Sequence, residues 1–388
     1  MNTSLLINQK MLVFLLAATV ATTYWVVATS IHSQIGYSIL ISDQAGYAHW
    51  SHDLVENAVY YHLPGYPATI AATRILSFGT LNDATLMQLS CLMFWLGSLW
   101  YFDRLLGVFA PTARIPGLIL YAFFPHAGIA DIVTATSDPL LRLLFLGALW
   151  HAVSRQWWRW AVFAGFCLIA NKGNWPAIGL MTLVCLWQYR LPWRYAILAY
   201  VPLATYYVTL VAHYHDWLWI VRPHLSIQFA AKSKLLLMDG IFGTLMQGTL
   251  VGTGKGLLLL AVFVVSIPLS LWLLRKREWL LLATTVPVLV YGLALNQQES
   301  FSILRFAYVL VIPFCMWLTM RPTWLATFQR PSVLIFMTLF LLGFQVFWSV
   351  YEVHWYRKMS TRSTPKMQKT GIVVPMDACG YGRNNTKQ

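Results

Sequence analysis

Acidic residues are scarce in this chain: 13 Asp and Glu among 388 residues, against 27 Lys and Arg, with charged residues of both signs reaching only 10%. A soluble globular domain carries about 25% charge. Here the place is taken by apolar residues, which make up 58% of the chain and raise the mean hydropathy to +0.60. Other absences narrow the class further. Five cysteines occur without paired spacing. Cys91, Cys167, Cys185 and Cys315 lie in or beside apolar runs and Cys379 stands alone, which excludes a disulfide framework and a metal cluster. Gly252-Thr253-Gly254-Lys255-Gly256 lacks the spacing and the preceding strand of a phosphate-cradling loop. Neither a Ser-His-Asp arrangement nor a zinc-protease motif is present. The net charge of +14 is scattered over short segments between apolar runs. Without a basic stripe it argues against nucleic acid as a partner and for contact with headgroups. The first apolar run lacks a small-residue cleavage site and reads as a retained anchor.

What is present is a series of apolar runs of about 20 residues, the length that crosses a hydrocarbon core of about 30 Å. They fall at 11–30, 84–101, 115–133, 138–153, 157–170, 175–189, 195–212, 256–274, 279–295, 303–320 and 332–351. The expected fold is an all-α polytopic membrane protein with about 11 transmembrane helices. Residues 1–351 form the transmembrane domain and 352–388 a short flexible tail. Lys10 before the first run places the N-terminus inside, and Arg275-Lys276-Arg277-Glu278 is the strongest inner signal. Residues 31–83 then form a long first extracytoplasmic loop and 213–255 a second large outer segment. The tail, with Arg357, Lys358, Arg362 and Lys366, falls on the outer side against the bias. The turn at Asn171-Lys172-Gly173-Asn174, between two short runs, dips toward the membrane from outside. A multi-pass protein of a cell membrane is expected, with the bacterial inner membrane preferred over the endoplasmic reticulum for compactness and want of a retention signal.

Under this topology the unusual polar residues collect outside, and three carboxylates fall within the 14 residues from Asp43 to Glu56. Asp43, in Ser42-Asp43-Gln44-Ala45-Gly46-Tyr47, reads either as a general base or as the cap of a helix starting at Gln44. Asp53 and Glu56, three apart, would share a helical face, either wet or ligand-facing. Tyr60-Tyr61-His62-Leu63-Pro64-Gly65-Tyr66-Pro67 is a rigid turn whose aromatic rings could stack on a sugar. Asp138 before Pro139 reads as a helix cap or as a site carboxylate. Lys172 and Arg305 are outer cations that oppose the bias. Each suits a phosphate, with snorkelling to headgroups as the bland alternative for Lys172. His213-Tyr214-His215-Asp216 reads as interfacial anchoring, because His residues two apart do not share a helix face.

In order and placement these stretches resemble the GT-C superfamily, multi-span glycosyltransferases that use lipid-linked sugar donors. Ser42-Asp43-Gln44-Ala45-Gly46-Tyr47 stands where the family has its loop acidic motif, and Leu63-Pro64-Gly65-Tyr66-Pro67 is similar to Pro-Pro-Gly-Tyr-Pro. Leu168-Ile169-Ala170-Asn171-Lys172-Gly173 resembles the Leu-Thr-Lys-Gly motif of the branch holding protein O-mannosyltransferases and aminoarabinose transferases. Arg305-Phe306-Ala307-Tyr308-Val309-Leu310-Val311-Ile312-Pro313 resembles its Arg-Tyr segment ending in Pro. The resemblance implies that Asp43 is the general base and that Lys172 and Arg305 hold the donor phosphate. The donor would be a polyprenyl-phosphate sugar and the acceptor a hydroxyl of a glycan, lipid or protein. Tyr47, His49, Asp53, Glu56, Tyr61, His62, Tyr66 and Asp138 are the candidates for acceptor or sugar contact. No metal ligands are indicated, and a divalent-metal requirement stays open. Two other classes compete. A transporter or flippase for a lipid-linked or sugar substrate predicts broken helices and pseudo-symmetric halves, and a non-enzymatic scaffold has no use for outer cations beside loop carboxylates.

Overall fold

The computed structural model describes residues 11–26 apart from positions 12, 20, 24 and 25, then 43–54, 63–124, 136–171, 174–215, 250–292 and 306–345. Among these residues every regular element is helical. After α1 (Val13–Thr23) come two short helices, α2 (Asp43–Trp50) and α3 (Gly65–Leu76), and the 27-residue α4 (Asp83–Phe109). A 3₁₀ turn (Pro111–Ala113) leads into α5 (Arg114–Ala122). Then follow α6 (Asp138–Val153), α7 (Trp157–Ala170), α8 (Trp175–Gln188) and α9 (Trp193–Tyr214). The last group is α10 (Leu250–Lys276), α11 (Trp279–Gly292), a 3₁₀ segment (Ala307–Leu310), α12 (Val311–Thr319), α13 (Pro322–Phe328) and α14 (Pro331–Gln345).

Local chemistry sets many of these boundaries. Asn82 caps α4, its side chain accepting from the Thr85 amide at 2.9 Å, which satisfies one of the helix's open donors. Prolines sit in the first positions of α6, α8 and α13, where no amide hydrogen is needed. Arg155, Arg190 and Arg277 end α6, α8 and α10 in the left-handed conformation, with φ of 54°, 56° and 61°. Beyond two of them the chain closes with bonds reaching five residues back, Gln156 to the His151 carbonyl and Glu278 to that of Leu273. A positive φ costs a side-chain-bearing residue about 1 kcal/mol. An arginine there offsets part of that cost by placing its cation at the negative end of the helix dipole.

The helices pack as an array in which α4, α6, α7 and α9 lie side by side, with α6 running parallel to α4 and α7 running back along α6. On α4 rest α5 and α12, and α8 carries α11, against which α10 packs. Trp95, Phe102, Tyr121 and Trp160 are fully buried. Phe102 stacks on Tyr121 with ring centroids 4.1 Å apart, and the Tyr121 hydroxyl donates to Ser98 at 2.7 Å.

Asp83–Phe109, Trp193–His213 and Gly256–Lys276 are long and apolar enough to cross a membrane, and α13 with α14, bent by 64°, makes a fourth if counted as one span. At 27 residues α4 is roughly 40 Å long, longer than its apolar run from 84 to 101, because Asp103 and Arg104 stay within the helix. The helices α7 and α8, of 14 residues each, reach only roughly 21 Å. The apolar run at 303–320 is divided between the 3₁₀ segment and α12. Of the apolar stretch in α9 only 11% is buried, against 61% in α4. Ile197, Leu198, Val201 and Val208 of α9 are 44–64% exposed, and Ile335, Phe336, Leu339 and Phe340 of α14 are 60–68% exposed. Apolar faces of this extent are uncommon on soluble monomers and suit contact with lipid.

Two sequence expectations need correction. The helix α2 ends at Trp50, so Asp53 is not helical, while its expected partner Glu56 lies outside the described residues. Ser137, not Asp138, occupies the capping position of α6, without a side-chain cap bond; Asp138 is the first helical residue and is 3% exposed. The neighbouring proline fixes the helix start one residue earlier than the sequence reading places it.

Candidate functional site

The starts of α4 and α6 and the end of α7 share one end of the array, and α2 and α3 lie there too. Arg74, near the end of α3, holds this corner. Its guanidinium donates to Asp83 at 2.6 Å, to the Ser51 hydroxyl at 2.8 Å and to the Ser51 carbonyl at 3.2 Å. Asp83 also lies 3.3 Å from His52. Three elements are thus fastened through one arginine at the head of α4. Its side chain is 20% exposed, so water weakens the pair only in part.

Within this corner the described stretches of the candidate motifs meet. Tyr47 of α2 packs edge-on against Tyr66 of α3, with centroids 5.2 Å apart and planes at 87°, the geometry aromatic quadrupoles favour. Gly65 abuts the end of α7: a Cβ there would lie 2.7 Å from the Ala170 Cα and 2.8 Å from the Ile169 carbonyl oxygen. Only glycine permits this approach, because the opposing atoms are backbone and cannot turn aside. The Leu63–Pro67 turn and the Leu168–Asn171 stretch are therefore in direct contact.

Tyr66 is fully buried, and its hydroxyl lies 3.2 Å from the Cys91 sulfur of α4. Cys91 in turn donates to the Thr136 carbonyl at 3.2 Å. Burial first, then Cys91, Tyr47 and Asp138, push the Tyr66 phenol well above its ordinary pKa. It stays a neutral hydrogen-bonding group and does not act as a base. Asp138, at the head of α6, is buried beside this corner. One helical turn on, at a spacing of four residues, Arg142 is fully buried with its guanidinium carbon 5.7 Å from the centre of the Tyr308 ring. Tyr308, in the 3₁₀ segment, also meets Tyr121 and Phe145 edge-on at 6.0 and 6.4 Å. Its buried hydroxyl has no hydrogen-bond partner among the described residues. At the start of α8 the Asn174 amide donates to the Cys167 sulfur at 3.0 Å, and the Trp175 indole to the Leu168 carbonyl at 2.8 Å.

Of the residues singled out from sequence, Tyr47, Tyr66 and Asp138 belong to this buried cluster. His49 and Asp53 are exposed on the surface beside it. Asp43 opens α2, and only its backbone is described. Lys172, Arg305, Glu56, Tyr61 and His62 lie outside the described residues. Two residues went unmarked in the sequence reading. Arg142 had a detectable signal, an arginine inside an apolar run four residues after an aspartate. Tyr308 lies within the Arg305–Pro313 motif stretch, but a tyrosine in an apolar run otherwise reads as core. Together the cluster offers a buried carboxyl group, a buried guanidinium and buried phenols. Such a set can orient a charged ligand or a neighbouring side chain at low dielectric. Among the described residues no three His, Cys, Asp or Glu converge as metal ligands. Neither a protein-family model nor a curated protein matches the chain.

Proposed function

We propose that the chain is an integral membrane glycosyltransferase. It would move a sugar from a polyprenyl-phosphate donor to an acceptor hydroxyl on the extracytoplasmic face, with inversion, in a frame of about eleven spans. The observation that carries this reading is the meeting of separate motif stretches at one end: Tyr47 on Tyr66, Gly65 on Ala170, and Arg142, one turn after Asp138, over the Tyr308 ring. In the proposed step the acceptor oxygen attacks the anomeric carbon from the face opposite the phosphate, and its proton passes to Asp43. The bond from that carbon to the phosphate oxygen breaks, and its electron pair leaves with the polyprenyl phosphate. Lys172 and Arg305 offset the charge developing there. Arg142 is enclosed, so it is a positioning residue that sets Tyr308 and Asp138. His49 and Asp53, being exposed, are the described side chains best placed to meet an acceptor.

The test is sugar release from a panel of radiolabelled polyprenyl-phosphate sugars by purified wild-type protein and by Asp43→Asn. Turnover with one donor, reduced about 10²–10⁴-fold in the variant, is expected for loss of a general base. Full activity in the variant would falsify the assignment. A lipid-linked-sugar flippase is the second reading. Internal prolines in α9, α10 and α11 (Pro202, Pro268, Pro287) and the 3₁₀ interruption before α12 favour it, as broken helices line transport sites. Donor movement across vesicles without hydrolysis or transfer would establish that reading instead.

A further inference from the structure

At the opposite end of the array a pocket of about 410 Å³ opens between α4, α6 and α7. Its floor is Trp150 and His151 near the end of α6; Trp100, Tyr101 and Arg104 of α4 form one wall, and Gln156, Trp158 and Arg159 at the head of α7 form the other. Its polar groups are held in a chain. The Arg159 guanidinium donates to the Gln156 side-chain oxygen at 3.0 Å, so that oxygen must also accept from His151 Nδ1 at 3.1 Å. The other ring nitrogen then accepts from the Tyr101 hydroxyl, 3.2 Å away. Arg104 lies over the Trp100 ring at 5.1 Å and Arg159 over Trp158 at 5.6 Å. Among the described residues no carboxylate lines the pocket, and Asp103, next in sequence to Arg104, is paired with Arg114 instead. Two guanidinium groups therefore face a concave space that holds no anionic side chain among the described residues.

The walls continue along the helices as apolar surface. On α7, Trp158, Val162 and Phe166 recur every fourth residue and are 57%, 39% and 48% exposed; on α4, Met93 and Trp100, seven apart, are 60% and 45% exposed. These stripes flank α6 and run from the arginines toward the middle of the array. A free phosphate would use the arginines alone. A molecule with an anionic head and long apolar chains uses both features, and tryptophans at the mouth mark the depth where headgroups begin.

We propose that this groove binds an anionic glycerophospholipid, with its phosphate at Arg104 and Arg159 and its acyl chains along the α4 and α7 stripes. The site is independent of the transferase reading. The experiment is native mass spectrometry of the purified full-length protein with phosphatidylglycerol, phosphatidylcholine or inorganic phosphate. It compares wild type, the double variant Arg104→Gln/Arg159→Gln, the double variant Val162→Ser/Phe166→Ser, and Arg194→Gln, a surface arginine on α9 outside the pocket. Both pocket arginines are exposed, so their replacement leaves the core intact. The expected result is retention of phosphatidylglycerol in preference to phosphatidylcholine, weakened about tenfold or more in the arginine double variant and unchanged in Arg194→Gln. The serine variant weakens lipid retention as well. Equal retention in the arginine double variant overturns the proposal, as does an equal loss in Arg194→Gln. Displacement of the lipid by inorganic phosphate at matched concentration, with the serine variant unaffected, makes it a free-anion site and overturns it too.

Discussion

The two ends of the helical array use the same residue in opposite ways. At the motif end Arg142 is fully buried, over the Tyr308 ring and one turn from Asp138. At the other end Arg155, Arg190 and Arg277 are exposed and serve as left-handed helix stops. The exposed arginines follow local rules: a helix dipole to complement, a chain to reverse, headgroups to meet. Arg142 obeys none of these. A buried guanidinium is costly unless its surroundings hold it, and Tyr308, the ring it lies over, comes from the 3₁₀ segment far along the chain and is itself met by Tyr121 of α5. The basic end is thus built residue by residue, whereas the motif end exists only once distant segments have assembled.

The contrast is most exposed to failure at Arg142. Arg142→Ala removes the buried cation over the Tyr308 ring and leaves a cavity, so a loss of about 3–5 kcal/mol is expected in thermal unfolding of the detergent-solubilised protein. A shift near zero would mean that the motif end is as local as the other. The basic end has its own semi-buried pair, Arg114 with both carboxylate oxygens of Asp103. Their side chains are 19% and 12% exposed. A double-mutant cycle with Arg114→Ala and Asp103→Ala should give a coupling of about 2–3 kcal/mol, smaller because the two residues are near neighbours in a helical hairpin. Next comes Gly65→Ala, in which the added methyl meets the backbone of α7. About 1–3 kcal/mol of overpacking is expected, and under the proposed transferase function donor turnover falls more steeply than stability. If activity follows stability alone, the contact between the two stretches is structural only. Tyr308→Phe removes a buried hydroxyl that has no partner among the described residues. Stability should change by about 1 kcal/mol or less, and a drop in donor turnover at unchanged melting temperature would show that this hydroxyl meets the ligand.

The same contrast explains what could be read before any coordinates. The helical class and the contact with lipid follow from composition and run length, both additive along the chain. Helix ends at Arg155, Arg190 and Arg277 coincide with the basic segments because cap and charge bias act within one turn. Tyr47, Tyr66 and Asp138 were identifiable as site candidates from their motifs, but burial was not, since it depends on α4 and α7 closing over them. Asp53 lies outside α2 because that helix stops at Trp50, whose indole donates to the Leu54 carbonyl at 3.0 Å and binds the segment that follows. The length of α4 was underestimated because Asp103 looks like a polar boundary, while its pairing with Arg114 lets the helix run on to Phe109.

The smallest expected effect is the sharpest check on the local end. Arg155→Gly places at φ 54° the one residue that adopts this conformation without strain, a gain of about 1 kcal/mol. It also removes a cation from the last turn of α6, worth about 0.3–1 kcal/mol, and a guanidinium 5.9 Å over the Tyr189 ring, worth about 0.5 kcal/mol at an exposed site. These terms oppose one another, so the melting temperature should move little in either direction. Because they act within one helix end, the variant should also leave donor turnover and phosphatidylglycerol retention unchanged. A large loss, comparable to that of Arg142→Ala, would show that α6 needs its basic terminus to seat the buried end, and the two ends would then be coupled through that helix.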